Sequence, residues 1–342
     1  MNTAPPHGSS APASAHSPRS LSVIIPVFNE EAVIAQTHQR LSSVMRSLNR
    51  PYELIFVNDG SSDASDPILL SIAASDPNSK ILSFSRNFGH QPAITAGLHA
   101  ASGSAAITID ADLQDPPELI PAMLDLMARE HADVVFAVRK KRAGEPKLKL
   151  AFAKSFYRLL NRLSDTPLPV DSGDFRLMNR PVMDAFNRLG EHDKYVRGLV
   201  SWLGFKQVPV YYDRDARAAG ETKYPFRKSL QLGLTGIFYF SKKPLMLAVS
   251  LGFLCIAAGL CYAAVVLWQK ITGVPGLASG WSSLICVTIF FSGVQLLTVG
   301  ILGQYIGSLF DEAKRRPEYI ISRKTNFGEP PHGTPGARPD LS

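Results

Sequence analysis

Cysteine is scarce in this chain of 342 residues, with only Cys255, Cys261 and Cys286. All three lie in long uncharged stretches, and their spacing fits neither a disulfide framework nor a zinc site. We expect them to be small apolar residues that fill space. Residues 1–20 lack an apolar core, so they are predicted to be a disordered tail rather than a secretory signal.

Two glycine-rich phosphate-binding motifs are missing as well. No G-x-G-x-x-G follows the first predicted strand, and no G-x-x-x-x-G-K-[ST] occurs anywhere. These absences argue against a nicotinamide-dependent dehydrogenase and against a P-loop ATPase.

Charge is absent from two long apolar stretches, residues 244–268 and 281–310. A helix rises 1.5 Å per residue and needs about 20 residues to cross roughly 30 Å of hydrocarbon, so each stretch is long enough to span a membrane. Lysine and arginine flank the pair on its outer sides, whereas the connector holds only Lys270. The positive-inside rule predicts that both termini are cytoplasmic. The alternative, a buried hairpin of a soluble protein, is disfavoured by this length and apolarity.

The chain before these stretches alternates between short apolar runs and segments of helical spacing. Strands are predicted at 21–28, 52–57, 80–83, 105–109 and 132–138, with helices such as 32–48 and 92–101 between them. This alternation is typical of a parallel, doubly wound α/β sheet. All strands of such a sheet present their carboxyl ends to one edge, so functional groups are expected to collect there.

Acidic residues follow three of the predicted strands: Glu30, Asp59, and the pair Asp110 and Asp112. The pair stands in ITIDADLQDPPELI, where a buried strand delivers two carboxylates one residue apart. Hard oxygen ligands of this kind suit Mg²⁺ or Mn²⁺ carrying substrate phosphates. For any one of these residues, a turn or helix-capping role remains open. Their occurrence at three strand ends favours a binding site.

Several segments form an ordered set that extends from about residue 21 to 321. They are VIIPVFNE (23–30), FVNDGSSD (56–63), SRNFGHQPAITAGLHAASG (85–103), DADLQDPPE (110–118), DSGDFRLM (171–178), YVRGLVSWLGF (195–205), RAAGETKY (217–224) and GQYIGSLFDEAKRRPEYI (303–320). The set resembles the family 2 glycosyltransferases, and more narrowly the polyprenyl-phosphate hexose transferases. The resemblance implies a glycosyltransferase-A (Rossmann-like) α/β catalytic domain, interfacial amphipathic helices and two transmembrane helices.

The resulting domain prediction places the catalytic domain at 21–228 and flanks it with membrane segments. It comprises a disordered tail at 1–20, an interfacial amphipathic helix at 229–243, transmembrane helices at 244–268 and 281–310, a cytoplasmic juxtamembrane segment at 311–327 and a disordered tail at 328–342. Amphipathic spacing at 157–164 and 228–239 suits helices lying in the membrane interface. Small residues at Gly293, Gly300, Gly303 and Gly307 permit close helix approach, so a homo-oligomer is possible.

The resemblance implies that Pro26, Glu30 and Asp59 hold the nucleotide. A carboxylate can accept hydrogen bonds from base N–H or ribose hydroxyl groups. Asp110, Asp112 and Gln114 would surround Mg²⁺ or Mn²⁺ on the diphosphate of the sugar nucleotide, with Asp110 also contacting the donor. The cation neutralises charge that grows on the leaving diphosphate.

Arg217 and Lys223 resemble a family loop that closes over the diphosphate, where cations match the anion. A basic surface attracted to anionic lipid is the alternative.

On the acceptor side, the resemblance implies that Asp174 or Asp171 orients the acceptor or serves as a base, with Asp174 narrowly preferred. In the family members that act on dolichol phosphate, the corresponding motif has no acidic residue directly before the Phe at position 175. A turn or helix-capping role for these aspartates remains open. Arg139 and Arg197 are candidates for binding the acceptor phosphate, with a solvated or lipid-facing charge as the alternative. His90 is expected to be a structural hydrogen-bonding residue rather than a catalytic one.

The implied reaction is inverting transfer of a hexose from a nucleoside diphosphate sugar to a polyprenyl (undecaprenyl) phosphate. Glucose from UDP-glucose is the first choice, and the cytoplasmic face of a bacterial inner membrane is the expected place. Expected partners are the sugar nucleotide, the lipid phosphate and the membrane, without nucleic acid. A processive polysaccharide synthase is disfavoured by the absence of an Arg-Trp dipeptide. A scaffold with an inactive transferase fold is disfavoured because Asp59, Asp110 and Asp112 are present.

Overall fold

A computed structural model describes residues 18–139, 172–191, 194–212, 243–272 and 280–328. Two compact units are present: one holds the described residues up to 212 together with 317–328, and the other holds two long helices. The predicted site residues Asp171, Arg217 and Lys223 lie outside the described residues, as do the amphipathic stretches at 157–164 and 228–239.

The first unit contains the elements that the alternating sequence predicts, and more. In chain order they are β1 (Leu21–Val27), α1 (Ile34–Ser47), β2 (Tyr52–Asn58), α2 (Ser65–Ser75), β3 (Ser79–Phe84), α3 (His90–Ala100), β4 (Ala105–Thr108), a 3-10 turn (Pro117–Leu119), α4 (Ile120–Glu130), β5 (Val134–Arg139), β6 (Ser172–Asn179), α5 (Arg180–Asn187), α6 (Val196–Trp202), β7 (Gln207–Tyr212) and β8 (Ile321–Thr325). The second unit contains α7 (Lys243–Ile271) and α8 (Trp281–Ala313).

The eight strands form one sheet in the order β7-β5-β6-β4-β1-β2-β3-β8. Strands β3, β2, β1 and β4 are parallel, but β6 runs antiparallel to β4 and β5, and β8 runs antiparallel to β3. The five predicted strands, β1 to β5, therefore run in one direction as expected, but β6 and β8, which were not predicted as strands, run against them. The sheet is mixed rather than parallel throughout, and the α/β class is confirmed. Strand direction depends on where a connection re-enters the sheet, and the alternation of elements along the chain does not encode this.

The hydrophobic core occupies both faces of the central strands. Every residue of β1 is buried, and side chains such as Leu41 of α1, Leu69 of α2 and Met123 of α4 pack on one face. Helix α3 packs on β1 from the other side at very short distance. A Cβ added at Gly97 would lie 2.2 Å from Cγ2 of Ile24, so only glycine permits this approach.

Strand β8 returns the chain to the sheet after the long helices. Residues 311–327 were predicted to form a cytoplasmic juxtamembrane segment. Within them, Ile321–Thr325 pairs with β3 as an edge strand of the sheet. This short strand carries Ser322, Arg323 and Lys324. Polar and charged residues are common on sheet edges because they discourage pairing with other chains.

The second unit consists of α7 and α8, which pack against each other. Among the described residues, one helical stretch, Phe290–Ala313 in α8, is long and apolar enough to cross a membrane, and Ala248–Tyr262 of α7 is a shorter apolar stretch. The second predicted span therefore stays a prediction. An added Cβ at the four glycines noted above on α8 would meet nothing within 4 Å. The α7–α8 packing thus does not use them, and an oligomer also stays a prediction.

We expect Gly97→Ala to lower the free energy of unfolding of the first unit by about 2 kcal/mol, because the added methyl group overpacks α3 against Ile24. This loss exceeds the gain in helix propensity of about 1 kcal/mol. Gly190→Ala is the control, since its added methyl group meets nothing within 4 Å. Thermal unfolding of the full chain in detergent measures both variants, and equal midpoints would contradict the close packing of α3.

Candidate active site

The carboxyl ends of β4 and β1 and the start of β6 meet at one edge of the sheet. Residues 110–115 follow β4 directly, and because β6 is antiparallel to β4, its first residues lie beside this loop. The Thr108 hydroxyl donates a hydrogen bond to the backbone carbonyl of Asp174, which fixes β6 against the end of β4. Sheet register therefore brings Asp174 to the acidic loop.

Asp174 is the centre of an ion-pair network. Arg197 donates from Nε to Oδ1 and from Nη2 to Oδ2, each at 2.7 Å. His90 Nε2 lies 3.3 Å from Oδ2 of Asp174 and 3.4 Å from Oδ1 of Asp110. The Val196 amide donates to the Gln91 side chain at 2.9 Å, which ties the start of α6 to α3. Cationic side chains from two helices, α3 and α6, thus meet the carboxylates of Asp110 and Asp174.

The charges in this network are strongly perturbed by burial and by one another. Burial opposes ionisation of Asp174, but Arg197 and His90 overcome it and hold the pKa of Asp174 well below its usual range. Burial alone would lower the pKa of His90, yet Asp174 and Asp110 raise it to about 9. Burial raises the pKa of Asp110 to about 6 against the opposing effect of His90. At neutral pH His90 and Arg197 are therefore cations, and Asp174 and most of Asp110 are anions.

The loop after β4 offers oxygen atoms that fit a hard divalent cation. Within the described residues, Asp110 Oδ1 and Gln114 Oε1 are buried and accept no hydrogen bond, although His90 Nε2 lies 3.4 Å from Asp110 Oδ1 as an ion-pair partner. Nearby Asp112 turns back to accept a hydrogen bond from the Gln114 amide at 3.1 Å. Leu113 has a φ of 58°, a left-handed conformation that is strained for a side chain of this kind and often marks a binding turn.

Over the described ranges, no three side chains of the His, Cys, Asp and Glu types are already arranged as a metal-binding group. The donor set of two carboxylates and an amide oxygen nonetheless fits Mg²⁺ or Mn²⁺. A cation would also offset the repulsion that Asp112, Asp115 and Asp174 exert on Asp110. Asp115 itself accepts a hydrogen bond from the hydroxyl of Tyr212 at the end of β7.

Asp59 lies at the end of β2 and is almost fully buried. Its Oδ1 accepts a hydrogen bond from the Phe88 amide at 2.7 Å, and its Oδ2 accepts one from the Gly89 amide at 2.9 Å. Burial nevertheless raises the pKa of Asp59 above its usual value. The carboxylate therefore fastens the turn after β2 to the turn before α3. Each oxygen can accept a second hydrogen bond, so the predicted contact with a nucleotide stays a prediction.

Pro26 and Glu30 belong to β1 and the turn that follows it. Pro26 is buried and lies beyond Ile24, the last residue of β1 in register with β4, so its missing N–H does not interrupt that ladder. The Glu30 amide donates to Ser65 Oγ at 2.9 Å, which joins this turn to the start of α2.

A cleft of about 290 Å³ opens beside Asp59, at the carboxyl ends of β2 and β3. Its lining includes Asn58, Ser61, Asp66, Ser83, Arg86 and Arg323. The lining is rich in hydroxyl, amide and guanidinium groups, which suit a polar or anionic ligand.

Comparison with known proteins gives this geometry a family. Residues 22–186 match the description "Glycosyl transferase family 2". The uncharacterized glycosyltransferase YkcC of Bacillus subtilis strain 168 is 52% identical over 302 residues, covering 88% of this chain and 93% of that protein. The chain belongs to the family 2 glycosyltransferases. This membership and the mixed α/β sheet agree with the glycosyltransferase-A-like fold that the motifs implied.

Relatives of this glycosyltransferase include a protein of Escherichia coli K12 named prophage bactoprenol glucosyl transferase homolog. It is 38% identical over 303 residues, which cover 89% of this chain and 98% of that protein. A solved mannosyltransferase from Pyrobaculum calidifontis, in complex with GDP-Man and Mn²⁺, is 13% identical and covers 84% of this chain and 87% of its own. Its TM-score of 0.45 is too low to support an inference about this glycosyltransferase.

The structure of the glycosyltransferase brings together some of the predicted site residues and separates others. Asp110, Asp174 and Arg197 share one network, to which His90 contributes a charge that its predicted structural role did not include. Arg139 ends β5, whose Val138 is paired with Ser172 at the start of β6, so its backbone lies at the same edge.

Arg176 lies in the motif DSGDFRLM, but it was not among the predicted site residues. It is 3% exposed, and its Nη2 donates to the Gly173 carbonyl at 3.3 Å. Burial lowers the pKa of Arg176 to about 10. The strand alternation of DSGDFRLM could have shown that Asp174 and Arg176 share a face opposite to Phe175 and Leu177.

We expect Arg197→Met to lower the free energy of unfolding of the glycosyltransferase by about 2–3 kcal/mol, because Asp174 then stays buried without its bidentate partner. Arg129→Met, at a side chain that is 73% exposed, should change it by less than about 0.5 kcal/mol. Denaturant unfolding in detergent compares the two variants. Similar losses in both would show that the Arg197–Asp174 pair is not the stabilising contact described above.

Proposed function

We propose that this glycosyltransferase transfers a hexose from a nucleoside diphosphate sugar to a polyprenyl phosphate. The observation that carries the proposal is the placement, at one sheet edge, of buried oxygens on Asp110 and Gln114 that accept no hydrogen bond, together with the cations His90 and Arg197 around Asp174. Such an edge has separate places for a cation-bound diphosphate and for a second anion. The bactoprenol named in several relatives supports a polyprenyl carrier as that second anion.

The donor is proposed to bind along the carboxyl ends of β1, β2 and β4. Pro26, Glu30 and Asp59 are proposed to serve the nucleoside, and Asp110, Asp112 and Gln114 would hold Mg²⁺ or Mn²⁺. The bound cation would offset negative charge on the departing nucleoside diphosphate. The proposed closing loop with Arg217 and Lys223 would add positive charge on the same side. Glucose from UDP-glucose is the proposed sugar, in keeping with the glucosyl names of the relatives.

The acceptor phosphate needs positive charge more than it needs a base. A phosphate monoester has a second pKa near 6, so its attacking oxygen is already mostly ionised at neutral pH. The low pKa of Asp174 makes it a poor proton acceptor. Asp174 is therefore proposed to hold Arg197 and His90 in place. Arg197 pairs with it through Nε and Nη2, so Nη1 is not part of that pair and can face a phosphate.

In the proposed reaction, a phosphate oxygen of the lipid attacks the anomeric carbon as the bond from that carbon to the nucleoside diphosphate breaks. The leaving diphosphate takes the electron pair of the broken bond, and no proton needs to move. Attack from the opposite side inverts the anomeric configuration. Arg197, with Arg139 proposed to assist, would hold the attacking phosphate in line.

The membrane arrangement is proposed to have two spans, with the catalytic unit and both termini in the cytoplasm. The sheet itself supports an even number of crossings, because β7 precedes α7 and β8 follows α8, yet both strands belong to the same sheet. Basic residues on the outer flanks of the helix pair support the cytoplasmic side.

We expect Asp112→Asn to reduce sugar transfer about 100-fold or more, because the proposed cation loses a charged ligand. Asp125→Asn, an exposed position on α4, should leave transfer unchanged. Membranes containing each variant are supplied with undecaprenyl phosphate and radiolabelled UDP-glucose, and label in a mild-acid-labile lipid is counted with Mg²⁺ or Mn²⁺ and with a chelator.

Other outcomes of the same assay count against the proposal. Label in a polymer instead of the lipid would favour a processive synthase. If wild-type protein incorporates no label when other radiolabelled sugar nucleotides replace UDP-glucose in turn, an inactive scaffold would be favoured. Undiminished transfer by the Asp112 variant would remove the metal role of that residue.

The two-span arrangement predicts that the connector between α7 and α8 lies outside the cell, whereas the basic segment after α8 lies in the cytoplasm. In a variant with all three native cysteines replaced by serine, Ser279→Cys should react with a membrane-impermeant maleimide in intact cells. Lys314→Cys should react only after the membrane is permeabilised. Labelling of both cysteines in intact cells, or of neither before permeabilisation, contradicts the arrangement.

A further inference from the structure

Residues 317–328, which come shortly after α8, belong to the unit that contains the sheet. Strand β8 pairs with β3, and just before it the ring of Tyr319 stacks on Phe84 with centroids 5.1 Å apart. The Tyr319 hydroxyl lies 2.8 Å from Nδ1 of His99 on α3. These contacts leave the side chains of β8 in fixed positions beside the carboxyl end of β3.

Arg323 of β8 reaches across β3 to the first turn of α2. Its Nη2 lies 2.6 Å from each carboxylate oxygen of Asp66 and 3.2 Å from the hydroxyl oxygen of Ser83. Burial pushes the pKa of Asp66 upward, but the hydrogen bonds from Arg323 and Asn58 hold it below its usual range. Asp66 is therefore an anion whose geometry depends on Arg323.

Asp66 in turn holds the last residue of β2. Asn58 donates from Nδ2 to Asp66 Oδ1 at 2.8 Å, and Asn58 Oδ1 accepts a hydrogen bond from the Ser61 amide at 3.0 Å. Asn58 is 3% exposed, whereas the side chain of Asp66 is 30% exposed, so Asn58 is the buried end of these contacts. A continuous chain of polar contacts thus runs from Arg323 to the turn at residues 58–61.

This turn tolerates little displacement. Gly60 has a φ of 64°, and a Cβ there would lie 2.4 Å from the carbonyl carbon of Arg86, so the two turns touch. Asp59, in the middle of the same turn, binds the amides of Phe88 and Gly89 immediately before His90. A shift of Asn58 is therefore transmitted to Asp59 and to the turn that leads into α3.

We propose that Arg323 is a positioning residue for sugar-nucleotide binding, acting through Asp66 and Asn58 on the turn that carries Asp59. The inference rests on the proposed function, since it assumes that this turn serves the nucleotide of the donor. Strand β8, which the chain reaches only after its two long helices, is on this account a part of the donor site. Arg323 also lines the 290 Å³ cleft beside that turn.

The test compares Arg323→Met with Lys324→Met, its neighbour on the opposite face of β8, which loses the same charge. Arg323→Met should raise the KM for the sugar nucleotide about tenfold and change kcat by less than about twofold, because it loosens binding and leaves the reacting groups intact. Lys324→Met should leave both constants unchanged. Arg323→Lys should recover part of the lost affinity, since an ammonium group can still contact Asp66.

Hydrogen exchange of the full chain in detergent gives a readout that does not need activity. Arg323→Met should speed exchange of the amides at 58–63 and 86–90 while those of β4 keep wild-type rates. Faster exchange throughout the sheet would indicate general unfolding and overturn the positioning role, as would an unchanged KM. If wild-type protein transfers no sugar, the proposed function fails, and local exchange at 58–63 still decides whether Arg323 holds the turn.

A double variant checks the route of the effect. If Arg323 acts through Asp66, then Asp66→Asn combined with Arg323→Met should raise KM no further than the worse single variant. Multiplied effects of the two substitutions would show that the residues act independently, which overturns the proposed chain of contacts.

Discussion

The bidentate pair between Arg197 and Asp174 is the constraint on which the active-site edge depends. The two side chains come from elements that are separate in sequence. Asp174 is only 6% exposed and Arg197 is 32% exposed, so the buried carboxylate needs the guanidinium as its partner. The pair also explains why His90 carries a positive charge, because the fixed carboxylate of Asp174 raises its pKa. Three elements, α3, β6 and α6, are thereby held at a single point.

The loop after β4 has the opposite electrostatic character. Burial raises the pKa of Asp110, and the neighbouring carboxylates of Asp112, Asp115 and Asp174 raise it further. Buried oxygens on Asp110 and Gln114 that accept no hydrogen bond fit the proposed cation site. Anionic and cationic groups therefore lie side by side, as the proposed transfer between two phosphate-bearing substrates requires.

The mixed sheet makes this juxtaposition possible. An all-parallel sheet would present only strand ends at the functional edge, whereas antiparallel β6 also contributes its beginning, and with it Asp174. Antiparallel β8 similarly presents Arg323 beside the ends of β2 and β3. Each antiparallel strand follows a long intervening stretch of sequence. Strand β6 supplies Asp174 and strand β8 supplies Arg323.

The sequence by itself determined the α/β class, the first five strands and the acidic loop after β4, because periodicity, strand-ending turns and neighbouring carboxylates are local properties. Its motifs also identified Asp174 and Arg197 as candidate site residues, but they did not predict that the two side chains pair. Only the tertiary structure decided that they pair across 23 positions, that His90 joins them across 84, and that Arg323 reaches Asp66 across 257. Strand direction and register set these contacts, and neither is encoded in the short stretches that form each element.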